Sequence, residues 1–259
     1  MFTVALPGLG AAGSYDRGDA RGRRSVRWVP RDMWVRMRPS TAVFLSERAA
    51  LAGSFVDADP TQPVACGGWT ADYLLAHLVA QERLRGLPLM LASPVVGALS
   101  ASRRDAVRAT LIGSATRRLV DQVGDADLIA MLQRPPPRIF TAPLLVLTRI
   151  AETWVHHEDL RRPLDSSPRR QHESIAEQLW SAVRLFGRRA SIPRGSSLTL
   201  SAGADRTLVL GRSRDRSASI SGEPGELLLF LFGRLNQAHI EVVGGPEVIE
   251  QLFSGRPLV

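Results

Sequence analysis

Cysteine is nearly absent from this sequence: Cys66 is the single one among 259 residues. An intramolecular disulfide is therefore impossible, and this usage is typical of a chain kept in a reducing compartment. Long apolar runs are also absent, since no stretch approaches the roughly 20 uninterrupted apolar residues of a membrane helix. The first residues lack the basic segment and continuous apolar run of a secretory signal. We expect a soluble, cytoplasmic protein.

Lysine is missing altogether, so all 33 basic residues are arginine, against 25 acidic residues. Eight arginines and only three acids lie within residues 1–38, which therefore hold most of the net charge of +8. In the rest of the chain the positive and negative charges nearly balance, and no cluster of basic residues of the kind that binds nucleic-acid phosphates is evident. We expect no nucleic-acid partner. The exclusive use of arginine indicates a GC-rich, actinobacterium-like source.

The chain is long enough for one large domain, or for a medium domain with a small companion. Residues 1–38 show no sustained period, and we interpret them as a disordered arm or as upstream sequence read from too early a start, with Met37 a plausible true start. Apolar residues then recur at helical spacing, which predicts helices over residues 40–58, 70–86, 100–123, 125–133, 142–162 and 171–189.

Beyond residue 193 the spacing of the apolar residues shortens from a helical period to alternation. The segments SSLTLSA, RTLVLGR, SASISG and HIEVVGG alternate as strands do, whereas GELLLFLFGRLNQA and PEVIEQLF are typical of helices. The predicted fold is mainly α: a four-helix-type bundle over residues 40–190, followed by a small α+β domain over residues 195–259.

The segment RIAETWVHHEDLRR holds the first candidate site residues. Glu152 and His156 are four residues apart, which puts them on one face of a helix, one turn from each other. A buried carboxylate and imidazole cost several kcal/mol unless they are paired or bound to a metal. His157 should point elsewhere, beside Glu158 on a wetter side of the helix, and we exclude it.

His77 is the candidate third ligand. It lies on the predicted second helix among mainly apolar residues, and two histidines with one carboxylate suit Zn²⁺ or another divalent transition metal with one or two positions left open. Arg149 is placed to pair with Glu152, and Asp159 to accept the other ring N–H of His156. Spacing alone leaves the alternatives open, because hydrogen-bonded core histidines and solvated Glu–His pairs are common.

Two motifs favour the metal. GWTADYLLAHL, followed some seventy residues later by RIAETWVHHEDL, resembles the paired signature of the mycothiol-dependent maleylpyruvate isomerase family, whose amino-terminal part is a DinB-like metal-binding helical bundle. The resemblance implies His77, Glu152 and His156 as metal ligands. The carboxyl end, ISGEPGELLLFLFGR followed by HIEVVGG, is similar to the family's small second domain, so the likeness covers about residues 40–255.

The resemblance also implies a function. We expect thiol-dependent transfer or isomerisation of a small electrophile, with mycothiol as the thiol and a metal, expected to be zinc, activating the thiol or a water. Arg234, at the end of the LLLFLFGR segment, is the candidate catalytic residue that binds an anionic substrate. The extra His157 and Glu158, with Cys66 before the first motif, depart from the typical pattern, so the isomerase substrate is not assumed.

Two alternatives stay open at this point. The chain is either an enzyme or a non-catalytic protein that binds or senses metal or thiol, and the sequence does not separate them. Cys66 is interpreted as a small buried apolar residue, with an extra soft metal ligand as the alternative. The sequence leaves the oligomeric state undetermined.

Overall fold

The computed structural model describes residues 39–84, 101–188, 195–212, 216–245 and 248–250, with residues 190 and 192. The predicted disordered arm, residues 1–38, lies outside these. So does most of the predicted last helix, of which only residues 248–250 are described, in helical conformation.

The first part of the described chain is helical, as predicted. In chain order it comprises α1 (Pro39–Asp57), α2 (Ala71–Arg83), α3 (Ala101–Gln122), α4 (Asp125–Gln133), a 3₁₀ turn (Arg138–Thr141), α5 (Pro143–Arg161) and α6 (Glu173–Gly187). Proline begins α5 because its missing N–H costs nothing in the first turn of a helix. The 3₁₀ turn between α4 and α5 was not predicted.

A small sheet and one more helix follow. The elements are β1 (Ser197–Ser201), β2 (Thr207–Gly211), β3 (Ser217–Ser221), α7 (Pro224–Leu231) and β4 (Glu241–Gly244). The strand order is β2-β1-β3-β4; β1 is parallel to β3, and both outer pairs are antiparallel. The predicted helix over GELLLFLFGRLNQA ends early, at Leu231, because the chain turns at Gly233, whose φ is 79°.

The core does not divide where the helices give way to the strands. Leu198, Leu200 and Ile220 of the sheet belong to the same buried cluster as Ile150 and Trp154 of α5. A second cluster holds apolar side chains of α1 to α4. A boundary near residues 190–195 therefore stays a prediction. None of the described helices is long and apolar enough to cross a membrane.

Gly225, at the start of α7, packs directly against α5. A Cβ atom at this position would lie 2.6 Å from ring atoms of Trp154, whose side chain is buried. Because overpacking a well-filled core costs about 1–3 kcal/mol, we expect Gly225→Ala to lower the free energy of unfolding by that amount, as measured by urea denaturation.

Gly53, inside α1, provides the opposite control. It is exposed, and nothing lies within 4 Å of a Cβ built on it. Alanine has the higher helix propensity by about 1 kcal/mol, so Gly53→Ala should stabilise the protein. Equal effects of the two substitutions would contradict the close packing of α7 on α5.

Candidate metal centre

The two histidines predicted as ligands lie side by side. His77 on α2 and His156 on α5 have ring centroids 5.5 Å apart, with the ring planes at 72°. The ring of Trp69 also contacts that of His77, with ring centroids 4.9 Å apart. The packing of α2 against α5 thus brings together residues that are 79 positions apart in the chain.

His77 is held as a neutral imidazole. The Oε1 atom of Gln81 accepts a hydrogen bond from Arg149, so the amide nitrogen of Gln81 is the atom that donates to His77 Nε2, at 2.7 Å. This assigns the lone pair of His77 to Nε2. Burial, followed by the charge of His156, lowers the pKa of His77 to about 3. A neutral imidazole is the form that binds metals.

Glu152 lies between two arginines. Its Oε2 accepts a hydrogen bond from Arg149 at 2.5 Å, as the spacing predicted, and its Oε1 accepts one from Arg108 of α3 at 3.0 Å. Burial by itself would raise the pKa of Glu152, but the positive charges of Arg149 and Arg108 outweigh it and the pKa is lowered. Glu152 is therefore a carboxylate at neutral pH.

Asp159 orients His156. The two side chains are joined by a 3.0 Å hydrogen bond between Nδ1 and Oδ2, the contact expected from the sequence. Because the ionised carboxylate only accepts, Nδ1 carries the proton, and Nε2 is the ring nitrogen that offers a lone pair when the ring is neutral. Burial opposes ionisation of Asp159, but hydrogen bonds from His156 and Arg234 outweigh it and lower its pKa.

Arg234 reaches this centre from beyond α7. Its Nε and Nη2 donate to the two oxygens of Asp159 at 3.0 and 2.8 Å, and Nη2 also donates to the sulfur of Cys66 at 3.1 Å. The carboxy-terminal part of the chain thus supplies a cation to the helical part. Burial, followed by the charge of Asp159, raises the pKa of the Cys66 thiol to about 11, so the thiol stays protonated at neutral pH.

Among the residues that the structure describes, one group of potential metal ligands has its donor atoms all within 4.8 Å of one another: Cys66, His156 and Asp159. This group shares His156 with the predicted set of His77, Glu152 and His156. His77 and Glu152 are not part of this group, so the predicted donor set overlaps it at His156 alone and stays a prediction. Cys66 lies beside the centre, as in the alternative that the sequence left open.

His157 points away from this centre, as expected, but the expected wetter environment is wrong. His157 and Glu158 are 6% and 0% exposed. The ring of His157 forms hydrogen bonds with Ser54 through Nε2 and with Glu47 through Nδ1, at 3.0 and 2.8 Å. Arg169 pairs with both Glu47 and Glu158. These partners compensate the burial, and they come from segments that helical spacing could not relate to α5.

A second buried network ties α5 to the carboxy-terminal part. Arg162, just past α5, donates to Glu158 at 2.5 Å, to Glu226 of α7 at 2.6 Å and to the backbone oxygen of Gln237 at 2.6 Å. The side chains of Arg162, Glu158 and Glu226 are at most 2% exposed. This network fixes the segment that carries Arg234 next to Asp159.

Sequence reasoning missed two contributors to the site. Gln81 lies one turn after His77 on the same helix. This spacing puts the two side chains on one face and could have indicated their contact. Arg108 arrives from α3, 44 positions before its partner Glu152. No local pattern in the sequence marks it.

The family model described as the mycothiol maleylpyruvate isomerase N-terminal domain matches residues 42–161, a range that includes His77, Glu152 and His156. The helical part of the chain is thus similar to that domain from α1 to α5. Arg234 and the sheet lie outside the family match.

Two solved structures are similar to the chain, a mycothiol-dependent maleylpyruvate isomerase and a histidine-to-alanine mutant of it. Each is 14% identical and covers 81% of this chain and 94% of its own length, with TM-scores of 0.47 and 0.48. No curated protein sequence matches.

Proposed function

We propose that the protein binds a divalent metal, expected to be Zn²⁺, through His77, Glu152 and His156, and catalyses thiol-dependent transfer or isomerisation of a small electrophile. Mycothiol is the proposed thiol. The observation that carries the proposal is the contact of the two motif imidazoles, 5.5 Å apart, next to the Glu152 carboxylate. The family match over residues 42–161 supports it.

The donor set fits such a metal. His77 is a neutral imidazole and Glu152 a carboxylate, and these are the protonation states that ligation requires. Two imidazoles and one carboxylate are a common donor set of catalytic zinc sites, which keep a position open for water or substrate. When bound, such a metal lowers the pKa of a thiol or water, which becomes a nucleophile at neutral pH.

The residues around the donors have separate tasks in this proposal. Asp159 holds His156 Nδ1–H, so that the ring presents Nε2, and Arg149 holds one oxygen of Glu152, so that the other can ligate. Arg234 is the proposed catalytic residue: anchored on Asp159, its guanidinium lies beside the centre, where it can bind an anionic substrate group.

The alternative function is non-catalytic binding or sensing of metal or thiol. Both functions need the same donors, so only turnover separates them. The guanidinium of Arg234 favours the enzyme, because Asp159 holds this anion-binding group next to His156, a proposed ligand.

We expect the purified full-length protein, loaded with zinc, to retain about one metal ion per chain after desalting, and His77→Ala to lose it, because two remaining donors bind weakly. The control is His172→Ala, since His172 is exposed at the start of α6. Mycothiol with a panel of small electrophiles then tests turnover by thiol consumption. Equal metal content in wild type and His77→Ala would refute the ligand assignment, and metal binding without turnover would favour the sensor.

A further inference from the structure

Other side chains of the protein engage the atoms with which two of the proposed ligands would bind metal. Gln81 donates to His77 Nε2 at 2.7 Å, and Arg108 donates to Glu152 Oε1 at 3.0 Å. Arg149 links Gln81 and Glu152, because its Nη1 donates hydrogen bonds to Gln81 Oε1 at 2.6 Å and to Glu152 Oε2 at 2.5 Å. These two ligand atoms are therefore hydrogen-bonded within the protein without a metal.

The two arginines on Glu152 are held very differently. The side chain of Arg149 is 9% exposed, lies one turn from Glu152 on the same helix and stacks over the ring of Phe140, with its guanidinium carbon 4.6 Å from the ring centroid. The side chain of Arg108 is 46% exposed and reaches Glu152 from α3. Arg149 is therefore a fixed part of the site, whereas Arg108 can move into water without leaving a buried charge unpaired.

We propose that Arg108 is a displaceable cation that neutralises Glu152 in the metal-free protein and competes with the metal for Oε1. This inference rests on the proposed function, since it concerns the same ligand. The proposal gives the two arginines opposite effects on metal binding. Arg149 favours it by positioning the Glu152 carboxylate, and Arg108 opposes it by pairing with the oxygen that the metal would use.

The size of the effect follows from exposure. An ion pair with one half-exposed partner contributes up to about 1 kcal/mol, which corresponds to about two- to fivefold in an equilibrium constant. The metal still binds, because it gains three donors where Arg108 uses one. Once displaced, the guanidinium is solvated at the surface of α3.

The test compares Arg108→Gln with Arg118→Gln in the full-length protein. Arg118 is exposed on the same helix, so both variants lose one positive charge from α3. Zinc affinity is measured by competition with a chromophoric chelator. We expect Arg108→Gln to bind zinc about two- to fivefold more tightly than wild type, and Arg118→Gln to match wild type. Without metal, the unfolding temperature of Arg108→Gln should lie below that of wild type, whereas that of Arg118→Gln should not.

Zinc affinity of Arg108→Gln that equals or falls below that of wild type overturns this inference while leaving the proposed ligands intact, because a residue that merely positions Glu152 would weaken binding when removed. If wild type and Arg108→Gln both fail to bind zinc, the proposed function and this inference are overturned together. If zinc binding survives His77→Ala, the ligand assignment fails, whatever the result for Arg108→Gln. If, in addition, Arg108→Gln binds zinc with the affinity of wild type, this inference is overturned as well.

Discussion

Glu152→Gln is expected to weaken zinc binding by more than about 100-fold, because it replaces the one anionic ligand of the proposed set by a neutral amide of the same shape. Loss of a residue that only orients a ligand costs 10- to 100-fold, and a direct ligand should exceed this. Isothermal titration with zinc, or chelator competition if binding is tight, provides the measurement.

The same experiment discriminates between the two overlapping donor sets. If Cys66, His156 and Asp159 were the ligands instead, Cys66→Ser would cause the large loss and Glu152→Gln a small one. We expect the reverse, with Cys66→Ser within about threefold of wild type, an effect below 1 kcal/mol. Glu177→Gln serves as the charge-matched control, because Glu177 is exposed on α6.

Arg162→Met is expected to destabilise the protein by about 3–5 kcal/mol, the usual cost of removing one partner of a buried ion pair. Glu158 keeps Arg161 and Arg169 as partners. Glu226 keeps only the backbone N–H of His239 among its described hydrogen-bond partners, so its buried charge carries most of the cost. Urea denaturation followed by circular dichroism measures the change.

A double-mutant cycle separates this charge effect from lost packing. In the Arg162→Met background, Glu226→Gln removes the uncompensated charge and should restore part of the stability, whereas in wild type the same change should destabilise. Arg184→Met, at an exposed position of α6, should change stability by less than about 0.5 kcal/mol. Additive effects in the cycle would contradict a coupled Arg162–Glu226 pair.

Local pattern predicted the elements well for identifiable reasons. α5 was expected over residues 142–162 and spans Pro143–Arg161, because its apolar residues keep the helical period up to the last turn. The strands were found from their alternation. The apolar period does not indicate that Glu47 and Arg48 of α1 are buried, yet each is only 6% exposed, because Arg169 and Glu82 pair with them.

The sequence alone determined the helices and strands, the shared face of Glu152 and His156, the link from His156 to Asp159 and the likeness to a family. All of these depend on residues a few positions apart or on short motifs, which the regular geometry of a helix relates directly. Only the tertiary structure decided that Cys66 and Arg234 meet at Asp159, that Arg108 engages Glu152, and that Arg162 joins α5 to α7. These contacts span from 44 to 168 positions, and they are set by how the helices pack rather than by any spacing along the chain.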